Sequence, residues 1–332
     1  MIPRIRISFL ALLIAGLVLS GCGGKDAPPA GGGARTFRIA VIPKGMTHEF
    51  WKSIHAGAVQ AAGELGVEIL WKGPQKEDDR AQQITVVEDV ISRGVDGIVL
   101  APLDDRALIR PVQDAGREKI PVIIIDSGLQ GRDYISFVAT DNYQGGVLAA
   151  RRMGELLSGK GRIFMVRYLE GSASTAERER GFLETVTKDW PGLRLLVKDQ
   201  FAGATTESAY QLGENLLGRF PDVEGVFCPN ESSTFGMLRA LQESRLAGKV
   251  KFVGFDSSPK LVQALRDGHL HGLILQNPVK MGYLGVTWMV QYLRGRTIPD
   301  RVDTGVTLVT KETMDSPEIK ALLSPDLSIL DR

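Results

Sequence analysis

Several polar side chains in this sequence stand directly after short apolar runs. Lys44 follows FRIAVIP, Asp126 and Ser127 follow VIII, and Asp141 follows FVAT. Asn230 and Glu231 follow GVFCP, Asp256 closes FVGFD, and Gln276 closes LILQ. Any one of them is an ordinary turn former or helix cap. Together they offer carboxylate acceptors, an ammonium donor, and amides that both donate and accept. A hydroxyl also does both, so the set suits a small ligand rich in hydroxyls. Phe50 and Trp51 open a helical run soon after the first apolar segment. An aromatic face packs on the C–H face of a sugar ring while the ring hydroxyls keep polar partners. The segment STAERERG adds two guanidinium forks, Arg178 and Arg180. A fork can hold two neighbouring oxygens or serve as a helix-surface ion pair, and residue type alone does not choose between them.

The elements that must hold these residues alternate regularly. Strand-like runs fall at 37–42, 67–71, 97–100, 122–125 and 135–139, then at 162–166, 194–198, 225–227, 251–255 and 273–275. Helical spacing fills 48–65, 80–93, 105–118, 143–157, 175–188, 206–219, 233–244, 259–266 and 279–294. Strands alternating with helices predict an α/β fold whose parallel sheets are covered on both faces. About a dozen strands exceed one comfortable open sheet, so two doubly wound lobes are expected. In such sheets a ligand sits beyond the carboxyl ends of the strands, where the polar residues above stand.

A length of 332 residues suits two domains, and a net charge of +1 gives no electrostatic grip on nucleic acid. No basic run and no helix-turn-helix segment argue for a nucleic-acid partner. The amino terminus differs from the rest. Arg4 and Arg6 precede an apolar stretch over 7–19, which suits a signal peptide over 1–22 better than a membrane span. It ends in Leu19-Ser20-Gly21-Cys22, which resembles a bacterial lipoprotein processing site with Cys22 as the lipidated residue. Residues 23–35, rich in Gly and Pro, read as a flexible tether. An exported, lipid-anchored protein of the periplasm or cell envelope is expected. Cys228 is the other cysteine, so no internal disulfide is available to the mature body. No nucleophile-elbow, zincin, P-loop or dinucleotide motif occurs, so neither an enzyme nor a cofactor is expected. His269 and His271 could share a strand face, but two ligands do not make a metal site.

The segments IAVIPKGMTHEFW, GVDGIVLAP, IPVIIID, VATDNYQGG, ERERGF, VFCPN, LRALQ, VGFDSSP and LQNPVKMG resemble, in order and spacing, the ribose- and galactose-type periplasmic binding proteins of sugar ABC importers. The resemblance runs from Ile39 to about Val309. It implies a type I periplasmic binding protein of two lobes joined by a three-strand hinge. The lobes would comprise 36–140 plus 277–303 and 141–276 plus 304–332, with hinge points near 139–141, 276 and 303. It implies a monosaccharide bound between the lobes and delivered by a monomer to a permease in the inner membrane. The family's ligand positions fall on Phe50 and Trp51 for stacking, and on Asp126, Arg178, Asn230, Asp256 and Gln276 for hydroxyl hydrogen bonds. Departures at Thr47-His48-Glu49, at Ser127 and at Glu231 argue against ribose itself, and Lys44, Asp126 and Pro229 also resemble the autoinducer-2 receptors. A sensor built on the same fold is the alternative function. Alanine at Asp256, Arg178 or Asn230 is expected to cause a large loss of binding with little loss of folding.

Overall fold

The computed structural model describes residues 35–331. The expected signal peptide, Cys22 and nearly all of the tether lie outside the described residues. The first half of the chain runs β1 (Arg38–Ile42), α1 (Glu49–Leu65), β2 (Glu68–Trp71), α2 (Arg80–Ser92), β3 (Gly97–Leu100), α3 (Ile109–Arg117), β4 (Val122–Ile125) and β5 (Ser136–Ala139). The second half runs α4 (Asn142–Leu156), β6 (Lys160–Met165), α5 (Ala173–Asp189), β7 (Gly192–Val197), α6 (Thr206–Arg219), β8 (Gly225–Phe227), α7 (Glu231–Glu243), β9 (Lys251–Phe255), α8 (Pro259–Arg266) and β10 (Gly272–Leu275). The chain then forms α9 (Pro278–Leu293), β11 (Arg301–Asp303), β12 (Thr307–Val309), α10 (Pro317–Leu323) and a closing 3-10 turn, Ser328–Asp331.

These strands make two six-stranded sheets, ordered β11-β5-β4-β3-β1-β2 and β12-β10-β9-β8-β6-β7. The first is parallel throughout. The second is parallel except at its edge, where β12 runs antiparallel to β10. The fold is thus two doubly wound α/β lobes. Strands β3, β4, β8 and β10 are buried along their whole length, and alternate residues of the central strands feed different cores. Ile39 and Val41 of β1 pack with α1 and α9, whereas Ala40 and Ile42 pack with α2 and α3. In the second lobe Val253 and Phe255 join the α4–α5 side, whereas Phe252 joins the α6–α7 side. Cys228 lies in that second core, where burial pushes its thiol pKa well up and keeps it inert.

Helix ends follow local chemistry. Gly66 takes the left-handed conformation (φ 67°) and closes α1 by donating to Ala62 O. Asn230 and Ser233 form a reciprocal capping box on α7, and Ser258 and Asn277 cap α8 and α9 ahead of Pro259 and Pro278. The expected helix over 105–118 begins only at Ile109. Asp104 Oδ1 accepts from the backbone of Arg106 and Ala107, which holds that stretch as a turn. The strands β11 and β12 escaped the sequence pattern because they are three residues long and partly exposed.

The chain passes between the sheets after β5, after β10 and after β11. The first and third passages are tied together: Thr304 N donates to Ala139 O at 3.0 Å, and Thr140 Oγ1 donates to Gly305 O at 3.0 Å.

Candidate functional site

The carboxyl ends of the two sheets face each other across a cleft of about 320 Å³, counting the space open to solvent. Of the residues expected from sequence, Lys44, Phe50, Trp51, Asp126, Arg178, Asn230, Glu231, Asp256 and Gln276 line it. Two do not reach it. Ser127 is buried beside the cleft, where its Oγ accepts from Ser174 N at 3.1 Å. Asp141 is exposed and caps α4 by accepting from Gln144 N at 2.9 Å. His48, Glu77, Tyr168, Ser174 and Thr175 complete the lining, and the sequence reading had not assigned them to it.

Asp126 and Asp256 are equivalent in the two lobes. Each follows the last residue of a central strand, and each adopts a left-handed backbone, at φ 62° and 66°. Asp tolerates this region better than most residues, yet it carries strain that a functional position can justify. The sharp turn swings each carboxylate off the strand axis and into the cleft. Asp126 meets Lys44 Nζ at 3.0 Å, with both side chains only 4% exposed. The same ammonium reaches across the cleft to Ser174 Oγ at 3.0 Å and Ser172 Oγ at 3.4 Å. Lys44 therefore spends its donors on protein groups and bridges the lobes.

Asp256 is held on both oxygens: Gln276 Nε2 donates to Oδ1 at 2.7 Å, and Glu231 N donates to Oδ2 at 3.1 Å. Burial pushes its pKa up, against the pull of Arg178 and Gln276. Gln276 Oε1 is buried and lacks a hydrogen-bond partner within the protein. A buried acceptor left unmade costs about 1–3 kcal/mol, so this oxygen calls for a donor from the cleft.

Arg178 is anchored rather than free. Its Nε donates to Asn142 Oδ1 at 2.8 Å, its Nη1 donates to Pro229 O at 2.9 Å, and its guanidinium lies 3.9 Å from the Phe255 ring centroid. Arg180 is exposed and pairs with Glu177 and Glu184, the surface role that the second fork allowed. Asn230 directs much of its amide to its own helix cap, with Oδ1 accepting from Ser233 and Nδ2 donating to Ser232 Oγ at 3.0 Å.

Phe50 and Trp51 pack edge-to-face with centroids 4.9 Å apart. Trp51 Nε1 donates to Glu77 Oε1 at 2.7 Å, which fixes the indole plane at the cleft wall. Glu77 also contacts His48 Nδ1 and accepts from Tyr168 Oη at 2.7 Å. From the second lobe, Glu231 accepts from Phe50 N at 3.1 Å, at the amino end of α1. Burial raises the Glu231 pKa to about 7, although His48 and the backbone donors lower it. Burial alone would lower the His48 pKa, but the charge and hydrogen bond of Glu77, with Glu231 and Asp256, raise it to about 9. Among the described residues no cluster of three or more His, Cys, Asp or Glu could hold a metal.

A cleft between two doubly wound lobes, walled by polar strand ends and aromatic rings, defines a small-molecule binding protein. A family model described as periplasmic binding protein domain matches residues 39–297, and the chain belongs to that family. It is similar to the ribose import binding protein of Salmonella typhimurium, with 29% identity over 274 residues, 82% of this chain and 90% of that one. It is also similar to a solved carbohydrate transporter solute binding protein from Agrobacterium radiobacter in complex with D-arabinose, with a TM-score of 0.84, 33% identity, and coverage of 87% of this chain and 99% of that one. An ABC transporter solute binding protein from Agrobacterium vitis with bound D-fucose gives a TM-score of 0.83 and 34% identity, over 86% of this chain and 100% of that one.

Proposed function

We propose that this chain is the substrate-binding lipoprotein of an ABC importer, anchored through Cys22, which takes a monosaccharide into the interlobe cleft and hands it to an inner-membrane permease. The mature body acts as an exported monomer. In this reading Phe50 and Trp51 stack on the sugar, and Asp126, Arg178, Asn230, Asp256 and Gln276 hold its hydroxyls. Lys44 and Glu231 hold the lobes in register around it. Residues 36–140 plus 277–303 close on 141–276 plus 304–332 about the three passages between the sheets.

The observation that carries the reading is the unpartnered Gln276 Oε1 beside Asp256, inside a cleft whose donors and acceptors come from both lobes. A sugar hydroxyl can donate to that oxygen and accept from a neighbouring donor at the same time. The sugar-binding relatives support the same ligand class. The test is a thermal-shift screen against D-ribose, D-allose, D-arabinose, D-fucose and xylitol. A sugar present at a thousand times its Kd stabilises the protein by about 4 kcal/mol. No shift with any of them at 10 mM, while D-galactose, D-glucose and other common hexoses and polyols are also silent, would overturn the proposal.

A further inference from the structure

Glu77 lies in the charged loop between β2 and α2, yet it is 6% exposed. Its carboxylate is shared between the lobes. Oε1 accepts from Trp51 Nε1 and contacts His48 Nδ1, all on the first lobe. Oε2 accepts from Tyr168 Oη, which reaches over from the loop after β6 in the second lobe and is itself 2% exposed. Two residues beyond His48, in the first turn of α1, Phe50 N donates to Glu231 of the second lobe. The cleft mouth is thus crossed by protein-to-protein hydrogen bonds that involve no ligand atom.

We propose that His48, Glu77 and Tyr168 form a proton-dependent clasp that holds the two lobes together, with Glu77 as the residue that couples lobe closure to the position of the Trp51 ring. This rests on the proposed two-lobe closure and does not depend on which sugar binds. The physics is direct. A buried carboxylate is tolerable when a cation sits beside it and donors occupy its oxygens. While His48 carries its proton, Glu77 has both, and the closed arrangement is satisfied. Once His48 is neutral, Glu77 keeps its charge in a dry site, and opening the cleft to water becomes the favourable response. The groups facing His48 reinforce this: Glu77 from its own lobe, and Glu231 and Asp256 from the other, are all carboxyls, while Lys44 is engaged by Asp126 in the same cavity. Closure therefore draws in a proton, and the raised pKa of His48 and that of Glu231 point the same way.

Tyr168→Phe removes the interlobe hydrogen bond and keeps the buried ring. Spin labels on Arg110→Cys and Gln211→Cys, both on the surface of opposite lobes, report the interlobe distance by double electron–electron resonance without any sugar present. The expected result is a closed-to-open ratio that falls as pH rises from 6.5 to 9.5. In Tyr168→Phe that ratio drops about tenfold at pH 6.5, the effect of losing a hydrogen bond to a charged group. His48→Gln should remove the part of the fall centred near pH 9 and leave only the Glu231 step nearer neutrality. Distance distributions that coincide in the parent protein and Tyr168→Phe, or a parent distribution indifferent to pH, overturn the clasp. Because no sugar is used, this outcome leaves the sugar screen to stand or fall separately.

Discussion

Arg178→Ala should cost far more folding stability than its place in a ligand cleft suggests. The guanidinium is 2% exposed and reaches Asn142 Oδ1 at 2.8 Å, Pro229 O at 2.9 Å, and the Asp256 carboxylate at 4.0 Å. It also covers the Phe255 ring at 3.9 Å. Alanine strands two hydrogen-bond acceptors and a buried carboxylate, and it opens a void against an aromatic face. Breaking one side of a buried charge pair costs about 3–5 kcal/mol. That is a large share of a native stability on the order of 5–15 kcal/mol. The expectation that alanine here spares folding therefore does not survive the geometry: this arginine ties α5 to the first turn of α4, to the loop before α7, and to the end of β9. Arg178→Lys keeps the charge but cannot span Asn142 and Pro229 at once, so it should lose about 1–3 kcal/mol. Equilibrium urea unfolding, followed by tryptophan fluorescence and far-ultraviolet circular dichroism, reads both variants. An Arg178→Ala protein within about 1 kcal/mol of the parent would refute the idea that this side chain is a structural anchor.

Stability should also follow pH in a defined direction. His48 is raised from 6.5 to about 9, so its contribution is complete below pH 6.5 and is lost as pH climbs through 9. Glu231 is raised from 4.5 to about 7, so its contribution is complete below pH 4.5 and is lost as pH rises through 7. Glu77 acts oppositely: burial alone would raise its pKa, but His48, Trp51 and Tyr168 lower it below 4.5, so its contribution disappears in acid. The urea midpoint should decline from pH 6 toward pH 9; a flat profile between pH 6 and 9 would contradict the charge arrangement. Two glycine variants separate close packing from helix propensity. A Cβ on Gly146 would lie 2.0 Å from Arg178 O and 2.7 Å from Phe182 N, so Gly146→Ala must push α4 off α5 and should cost about 3 kcal/mol. A Cβ on Gly63 would meet nothing within 4 Å, so Gly63→Ala should add about 0.5–1 kcal/mol in the same unfolding assay.

The lobes were legible because strands such as VIII and KFVGF are apolar at every position or nearly so, and that pattern is stable only between two helical layers. The carboxyl ends of those strands then named most of the cleft. What the pattern could not show was the direction of a side chain after the strand. Asp126, Asp256 and Asp141 all stand beyond apolar strands, but the first two turn left-handed at φ 62° and 66°, whereas Asp141 sits at φ −70° and folds back as a helix cap. A one-residue difference in backbone hand sends the carboxylate into the cleft or out to solvent. Glu77 was hidden for a different reason. It lies in KGPQKEDDR, where neighbouring charges give every local sign of a solvated loop. Its burial comes from Tyr168, ninety-one positions away on the opposite lobe, and from His48 at the N-cap of α1 and Trp51 in its first turn. Spacing within one element reports what that element buries against its own sheet. A residue buried in part by the facing lobe leaves no periodic trace, so Glu77 and Tyr168 escape a reading along the chain, whereas Lys44 and Glu231, which also bridge the lobes, stand directly beyond strands and do not.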